Sequence, residues 1–337
     1  MAIGTPAMCP NARRRGEQPA LFFSGGTMKV LITEFMDEAA VAALRAGFDT
    51  RYDAGLVDRR DELLGALAGV DALIVRNRTQ VTTDILAAAP KLKVVGRLGV
   101  GLDNIDLPAC QARNVEVIPA TGANALAVAE YVIATAMLLL RGAYFSSDAV
   151  VAGKWPRGPL SNGREIGGKV LGIVGFGGIG RLTARLAQGL GMRVVASDPM
   201  IAGNAVVWKE AGVTCRTLDE LIAESDVISL HIPLTPETRN LISASRLALM
   251  KPDAVLINSA RGGLIDEVAL AAALTAKRVG GAALDVFDDE PLKAGSPLTD
   301  CPNLLLTPHI AGVTIESNTR VSSMIAHRVA AFLSTTK

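Results

Sequence analysis

The chain has 337 residues, enough for two domains with substantial cores; half of them are hydrophobic and only 4% are aromatic. Basic and acidic residues nearly balance, 34 against 33, leaving a net charge of +1, so the sequence carries no electrostatic footprint for nucleic acid and no such partner is expected. The four cysteines, Cys9, Cys110, Cys215 and Cys301, are far apart and form no C-x-x-C pair, so neither a metal site nor a disulfide framework is expected and a reducing cytoplasm fits.

Residues 1–27 contain Gly, Pro and the run Arg13, Arg14, Arg15, with no apolar core of signal-peptide length. They read as a disordered leader, with a translation start at Met28 as the alternative, because "MKVLITEF" opens a strand with its own methionine. From there "KVLIT", "ALIVR", "KVVGRL" and "VEVIP" read as strands, separated by amphipathic helices such as "DEAAVAALRAG" and "RDELLGALAGV". Alternation of this kind predicts a parallel sheet covered by helices. The apolar stretch "NALAVAEYVIATAMLLLRG" is interrupted by Glu130 and is short for a bilayer span, so a buried helix over about residues 124–141 is expected and no membrane partner. After the loop "GKWPRGPLSNGREIGG" the alternation restarts with "VLGIVG", "RVVASD", "VISLHI", "AVLINSA", "GAALDVF" and "LLLTPH". The fold class is therefore α/β, two doubly wound parallel-sheet domains. A last amphipathic stretch, "TIESNTRVSSMIAHRVAAFLS", is a helix that could pack on either; His327 within it reads as structural.

The segment "VLGIVGFGGIGRLTARLAQGLGMRVVASDP" holds Gly175-x-Gly177-x-x-Gly180 between a strand and a helix, then a second strand ending in Asp198. Strand, tight turn, helix, strand and acid together form the dinucleotide fingerprint of a Rossmann domain. Gly175 makes the turn, Gly177 lets the backbone approach a pyrophosphate, and Gly180 permits close helix–strand packing; Gly178 and Ile179 complete the loop. Asp198 would accept from the ribose hydroxyls and repel a 2′-phosphate, and Pro199-Met200 offers no compensating arginine, so NAD is favoured over NADP.

Ligands of open parallel sheets bind beyond the carboxyl ends of the strands. There stand Arg261 after "AVLINSA", Glu290 in "DDEP" after "GAALDVF", and His309 after "LLLTP". Singly these could be a loop ion pair, an exposed acid and a cap. Together they suit oxidation of a 2-hydroxy acid, in which a hydroxyl proton leaves while hydride passes from carbon 2 to NAD. Histidine transfers protons reversibly near neutrality, a carboxylate fixes its tautomer, and arginine forks onto a substrate carboxylate. Ala260, beside Arg261, and His231, ending "VISLHI", are further candidate cofactor contacts; His231 has a structural reading too.

From about Lys29 onward the chain resembles the D-2-hydroxyacid dehydrogenases, in particular their phosphoglycerate dehydrogenase-like branch. The resemblance is carried by "GRLGVGLDNID", "VGFGGIG", "LHIPLTPETRNLI", "MKPDAVLINSARGGLIDE", "AALDVFDDEP" and "LTPHIAG". It implies that Arg261, Glu290 and His309 are the catalytic set, with His309 as acid–base. It implies that the backbone of Val100-Gly101 helps hold the substrate carboxylate and that Asp285 contacts the nicotinamide amide. It also implies a discontinuous, flavodoxin-like substrate domain, residues 28–120 with 311–337, around an NAD-binding Rossmann domain at 121–310. A homodimer through the cofactor domains is implied as well.

Arginines matching Arg76, Arg97 and Arg141 help hold the distal phosphate in phosphoglycerate-type members. A 2-hydroxy acid with an anionic tail is therefore expected, although Arg76 and the nearby Arg78 also read as solvated strand-end charges. The chain stops soon after the last family helix, so no appended regulatory domain is expected. "ITEFMDEAAV" with "VRNRTQVT" is similar to the sulfolactate dehydrogenases of the branch, and a sulfonate and a phosphate offer arginine the same acceptors. Two alternatives stand beside this reading. One is an NAD-sensing, non-catalytic module like the corepressors built on the fold. The other is a phosphite- or formate-type dehydrogenase, although formate enzymes carry glutamine where this chain has Glu290.

Overall fold

Short runs of buried β-branched and aliphatic residues become parallel strands in two sheets of a computed structural model, which describes residues 28–336. The leader reading of residues 1–27 lies outside the described residues. The first sheet comprises β1 (Lys29–Ile32), β2 (Asp49–Tyr52), β3 (Ala72–Val75), β4 (Val94–Arg97) and β5 (Glu116–Pro119), in the order β2-β1-β3-β4-β5. The second comprises β6 (Val170–Val174), β7 (Arg193–Ser197), β8 (Thr214–Cys215), β9 (Val227–Leu230), β10 (Val255–Asn258), β11 (Gly281–Leu284) and β12 (Leu304–Leu306). Its order, β12-β11-β10-β9-β6-β7-β8, reverses direction between β6 and β9, and that reversal opens a crevice at the strands' carboxyl ends.

Alternation along each strand sends side chains to two covered faces. In the first sheet Val30, Ile32, Ile74 and Val94 enter one apolar cluster, while Leu31, Leu73, Val75 and Val95 enter the other. In the second, Leu171, Ile173, Val194 and Ile257 enter one cluster, and Ile228, Leu230, Leu256 and Leu284 the other. Strands β2 and β8 were not expected. Each lies at a sheet edge, and neither "DTRY" nor "TC" has a fully buried residue, so no hydrophobic run marks them.

The 17-residue helix Ala125–Arg141 buries Val128, Val132, Ala136 and Leu140 and packs on the second sheet unit, against the helix Gly178–Gly189. No single helix among the described residues is long and apolar enough to cross a membrane.

The terminal helix, Ile315–Thr335, docks on the first sheet. Its Val321, Ile325, Val329 and Leu333 enter the cluster of Val30, Ile32 and Ile74, though they follow in sequence after the whole second sheet. Gly96 in β4 explains the close approach: a Cβ there would stand 2.8 Å from Ile325 Cγ2 and 2.9 Å from Val329 Cγ2. The chain thus leaves the first unit once, builds the second, and returns.

Candidate active site

At the β6–helix junction Gly175 takes φ +95°, and a Cβ on it would lie 2.5 Å from the carbonyl oxygen of His231. Two constraints therefore require glycine there, the left-handed backbone and the neighbouring strand end. A Cβ on Gly180 would run into the Gly175 carbonyl and stand 3.1 Å from Ile173 Cγ2, so this glycine brings the helix Gly178–Gly189 onto β6. Gly177 and Gly178 differ: a Cβ on either would meet nothing within 4 Å. They form the open side of the loop, where the helix begins with no side-chain cap, so its first N–H groups and Ile179 face a site suited to an anion.

Asp198, just past β7, accepts from Phe176 N–H at 2.8 Å and Met200 N–H at 2.9 Å. It ties the glycine loop to the next strand, and each oxygen keeps a lone pair for ribose hydroxyls. These residues fit NAD. Among the described residues no cluster of His, Cys, Asp or Glu could hold a metal.

Strands β10, β11 and β12 are neighbours, and their carboxyl ends carry Arg261, Glu290 and His309 to one cleft of about 330 Å³. Buried Asn258 shapes the first turn, accepting from Ala260 N–H at 3.0 Å and donating to the Arg261 carbonyl at 2.8 Å. Glu290 Oε1 accepts from Phe287 N–H at 3.1 Å, which turns Oε2 toward His309 Nδ1 at 2.7 Å. A carboxylate can only accept, so Nδ1 carries the proton and Nε2 is free to exchange one.

His309 has φ +55°, a left-handed conformation that costs a non-glycine residue about 1 kcal/mol or more. Asp285 holds it there. Its carbonyl accepts from His309 N–H at 2.8 Å, and its buried carboxylate accepts from the Thr307 hydroxyl at 2.6 Å and from Ile310 and Ala311 N–H, each at 2.8 Å. Within the chain Asp285 therefore anchors the histidine turn.

Across the cleft stand Arg97, ending β4, and Asp103. Arg97 is largely buried, and its pKa is pushed down to about 10, first by burial and then by repulsion from Arg261 and Arg76. Its Nη1 donates to the Leu98 carbonyl at 3.0 Å, while its buried Nε has no hydrogen-bond partner. Gly99 makes room for the guanidinium, and Gly101 makes room for Arg261; a Cβ on either would collide with it. Val100 between them is exposed.

Arg76 does not line the cleft. Its Nη2 donates to Asn318 Oδ1 on the terminal helix at 2.7 Å, its guanidinium lies over the Phe35 ring, and burial lowers its pKa. Arg78 is paired with Asp58 and faces outward. Arg141 is elsewhere altogether. The helix end that carries it meets Asn303 and, through Arg164, Asp253, residues that precede β12 and β10. Within one chain it sits at the amino ends of these strands, the end opposite to the one that carries Arg261.

Several cleft-forming residues were not singled out from the sequence. Buried Glu34 accepts the backbone N–H groups of Arg76, Asn77, Arg78 and Thr79 at 2.9, 3.3, 3.0 and 2.9 Å, so one carboxylate shapes the whole loop. Asn104 braces the loop by donating to the Thr79 carbonyl at 2.7 Å. Arg239 joins the cleft's rim.

His231, at the end of β9, shares a 3.0 Å hydrogen bond with Ser229, and burial lowers its pKa to about 4, so it is neutral at neutral pH. The unfolded chain binds this proton more tightly than the folded one, so stability falls as the pH drops from about 6.5 to about 4. The loss is on the order of 3 kcal/mol. His231→Gln should flatten that part of the stability–pH curve in urea titrations, and an unchanged acid slope would reject the assignment.

The sequence profile described as "D-isomer specific 2-hydroxyacid dehydrogenase, NAD binding domain" matches residues 133–311. Among curated proteins the chain is 54% identical over 293 residues to the (S)-sulfolactate dehydrogenase of Chromohalobacter salexigens, covering 87% of this chain and 94% of that one. It is 40% identical over 310 residues to the D-3-phosphoglycerate dehydrogenase of Synechocystis sp., covering 92% of this chain but 55% of that one, and so spans about half that relative's length. Among solved structures, the TT0316 protein of Thermus thermophilus superposes with a TM-score of 0.83 at 34% identity, over 91% of this chain and 97% of that one.

Proposed function

The chain belongs to the D-isomer specific 2-hydroxyacid dehydrogenase family as an NAD-dependent oxidoreductase that interconverts 2-hydroxy and 2-oxo acids, and from that premise we propose that its substrate is a D-configured acid with an anionic tail, sulfolactate in preference to 3-phosphoglycerate. The observation that carries the tail is Arg97. A largely buried cation, repelled by two other arginines and with an unpartnered Nε, faces the cleft from the wall opposite Arg261. A second anionic group on the substrate would satisfy it. The 54% identity to a sulfolactate dehydrogenase over nearly all its length favours the sulfonate.

NAD, when bound, accepts the hydride in oxidation and returns it in reduction. His309 Nε2 takes the proton of the C2 hydroxyl, and Glu290 beside Nδ1 favours the imidazolium that forms. Arg261 pairs with the substrate carboxylate and polarises the C2 carbonyl in the reverse direction. Substrate reaches this site between the walls carrying Arg97 and Arg261.

Steady-state rates with NAD and NADP on sulfolactate, 3-phosphoglycerate, lactate, glycerate and malate test the reading. Sulfolactate with NAD should give the highest kcat/KM. Preference for lactate or glycerate would reject the anionic tail, and no change in NADH absorbance with any acid would favour a non-catalytic NAD-binding module.

A homodimer is proposed on the strongly exposed Tyr144, Val151 and Trp155, which follow the helix Ala125–Arg141. A monomer mass by sedimentation would reject it. Cytoplasmic action fits an NAD-dependent enzyme whose described cysteines, Cys110, Cys215 and Cys301, are free thiols; activity recovered only from a membrane or secreted fraction would overturn it.

A further inference from the structure

Arg261 needs two things to bind a carboxylate productively: an edge of its guanidinium turned toward the cleft and a fixed distance to the opposite wall. Its own strand supplies only part of this. Nη1 donates to the neighbouring Ala260 carbonyl at 2.6 Å, which still leaves the plane of the group free to rock. The second restraint comes from the other sheet. Asp103 Oδ2 lies 3.1 Å from Arg261 Nε, and among the described residues this is the one ion pair that joins the first-sheet unit to the second.

Asp103 belongs to the same loop as Gly101, and a Cβ on Gly101 would stand 2.8 Å from that Oδ2 and collide with Arg261. Loop backbone and guanidinium are thus in direct apposition, with Asp103 setting their separation. The Asp103 side chain is 74% exposed, so it contributes little to any core and its replacement should leave the fold intact. An exposed ion pair adds little stability by itself. Its geometric effect is larger, because the carboxylate sits at the Nε edge of the guanidinium and holds the plane of the group against the Gly101 backbone.

We propose that Asp103 is a positioning residue, which orients Arg261 from across the cleft and holds the two walls at the separation a 2-hydroxy acid's carboxylate requires. The proposal rests on Arg261 being the carboxylate partner. Asp103 also carries a negative charge near an anion site, and that charge by itself weakens substrate binding. Orientation and repulsion therefore act in opposite directions, and two substitutions separate them. Asp103→Ala removes the carboxylate from the Nε edge of Arg261. Asp103→Asn removes the charge but keeps an acceptor.

The experiment measures reduction of the 2-oxo acid by NADH, with the Kd of NADH and of oxalate on the enzyme–NADH complex read by fluorescence. Asp103→Ala should raise KM and the oxalate Kd by about 10- to 100-fold, the range expected when a binding group shifts by an ångström or so. The NADH Kd and Tm should stay at the native values, and Asp103→Asn should restore oxalate binding to within about threefold. Tighter oxalate binding by Asp103→Ala would overturn the proposal, since it would make Asp103 a competitor for Arg261. Equal losses in Asp103→Ala and Asp103→Asn would also overturn it. Arg261→Lys serves as the control on the premise. If it leaves oxalate binding native, the carboxylate assignment itself fails; if it weakens oxalate and Asp103→Ala does not, only the positioning role fails. In the Arg261→Lys background Asp103→Ala should have no further effect, and additive losses would reject action through Arg261.

Discussion

His309→Gln should reduce kcat by about 10³-fold while the Kd of NADH stays within about twofold of native. General acid–base groups contribute on the order of 10²- to 10⁴-fold. Here the histidine's proton is committed to Glu290 through Nδ1 at 2.7 Å, leaving Nε2 as the exchanging atom. Glutamine can still donate a hydrogen bond but cannot take a proton, so binding survives and turnover does not. Glu290 and the Asp285 bonds that hold the turn are untouched by the change. Steady-state kinetics with a fluorescence titration of NADH check both halves. Residual turnover within tenfold of native would move the proton to another group, and His231 is unsuited to that role, because burial opposes the imidazolium that taking a proton would form.

Arg97→Met should raise KM for sulfolactate by about 30- to 100-fold and leave KM for lactate within about threefold. Charge-assisted hydrogen bonds to an anion contribute about 1.5–3 kcal/mol each, and 1.4 kcal/mol is tenfold in affinity. Methionine keeps most of the buried stem. The sign of the stability change separates binding from architecture. Burial and two like charges oppose the charged form of Arg97, so removing the charge should leave Tm unchanged or raise it. An equal KM increase on both acids would reject the tail-binding role.

What could be read from the residues alone followed a simple physical rule: features fixed by short-range geometry were visible, and those created by two walls meeting were not. The glycine loop and Asp198 are visible because one strand, one turn and one helix specify their spacing. Arg261, Glu290 and His309 are visible as strand-end residues because β10, β11 and β12 are apolar runs with definite ends. The edge strands β2 and β8 lack such runs. Glu34, Asn104 and Asp103 are ordinary polar letters until the loop or arginine each holds is in place. Arg76 is the opposite case. It sits in an arginine-rich motif beside the substrate loop, yet Asn318, far along the chain, takes its guanidinium. Gly96 likewise decides where the terminal helix docks only through the helix side chains laid against it.

The return of that helix also sets a timetable for synthesis. The first sheet's core is completed by Val321, Ile325, Val329 and Leu333, so one face of β1, β3 and β4 has only the helix Glu38–Arg45 and its neighbours over it while the ribosome makes everything between. At ordinary elongation rates that interval lasts roughly 10 to 40 s. The second sheet, contiguous in sequence, can finish first. The first sheet is thus begun first and sealed last.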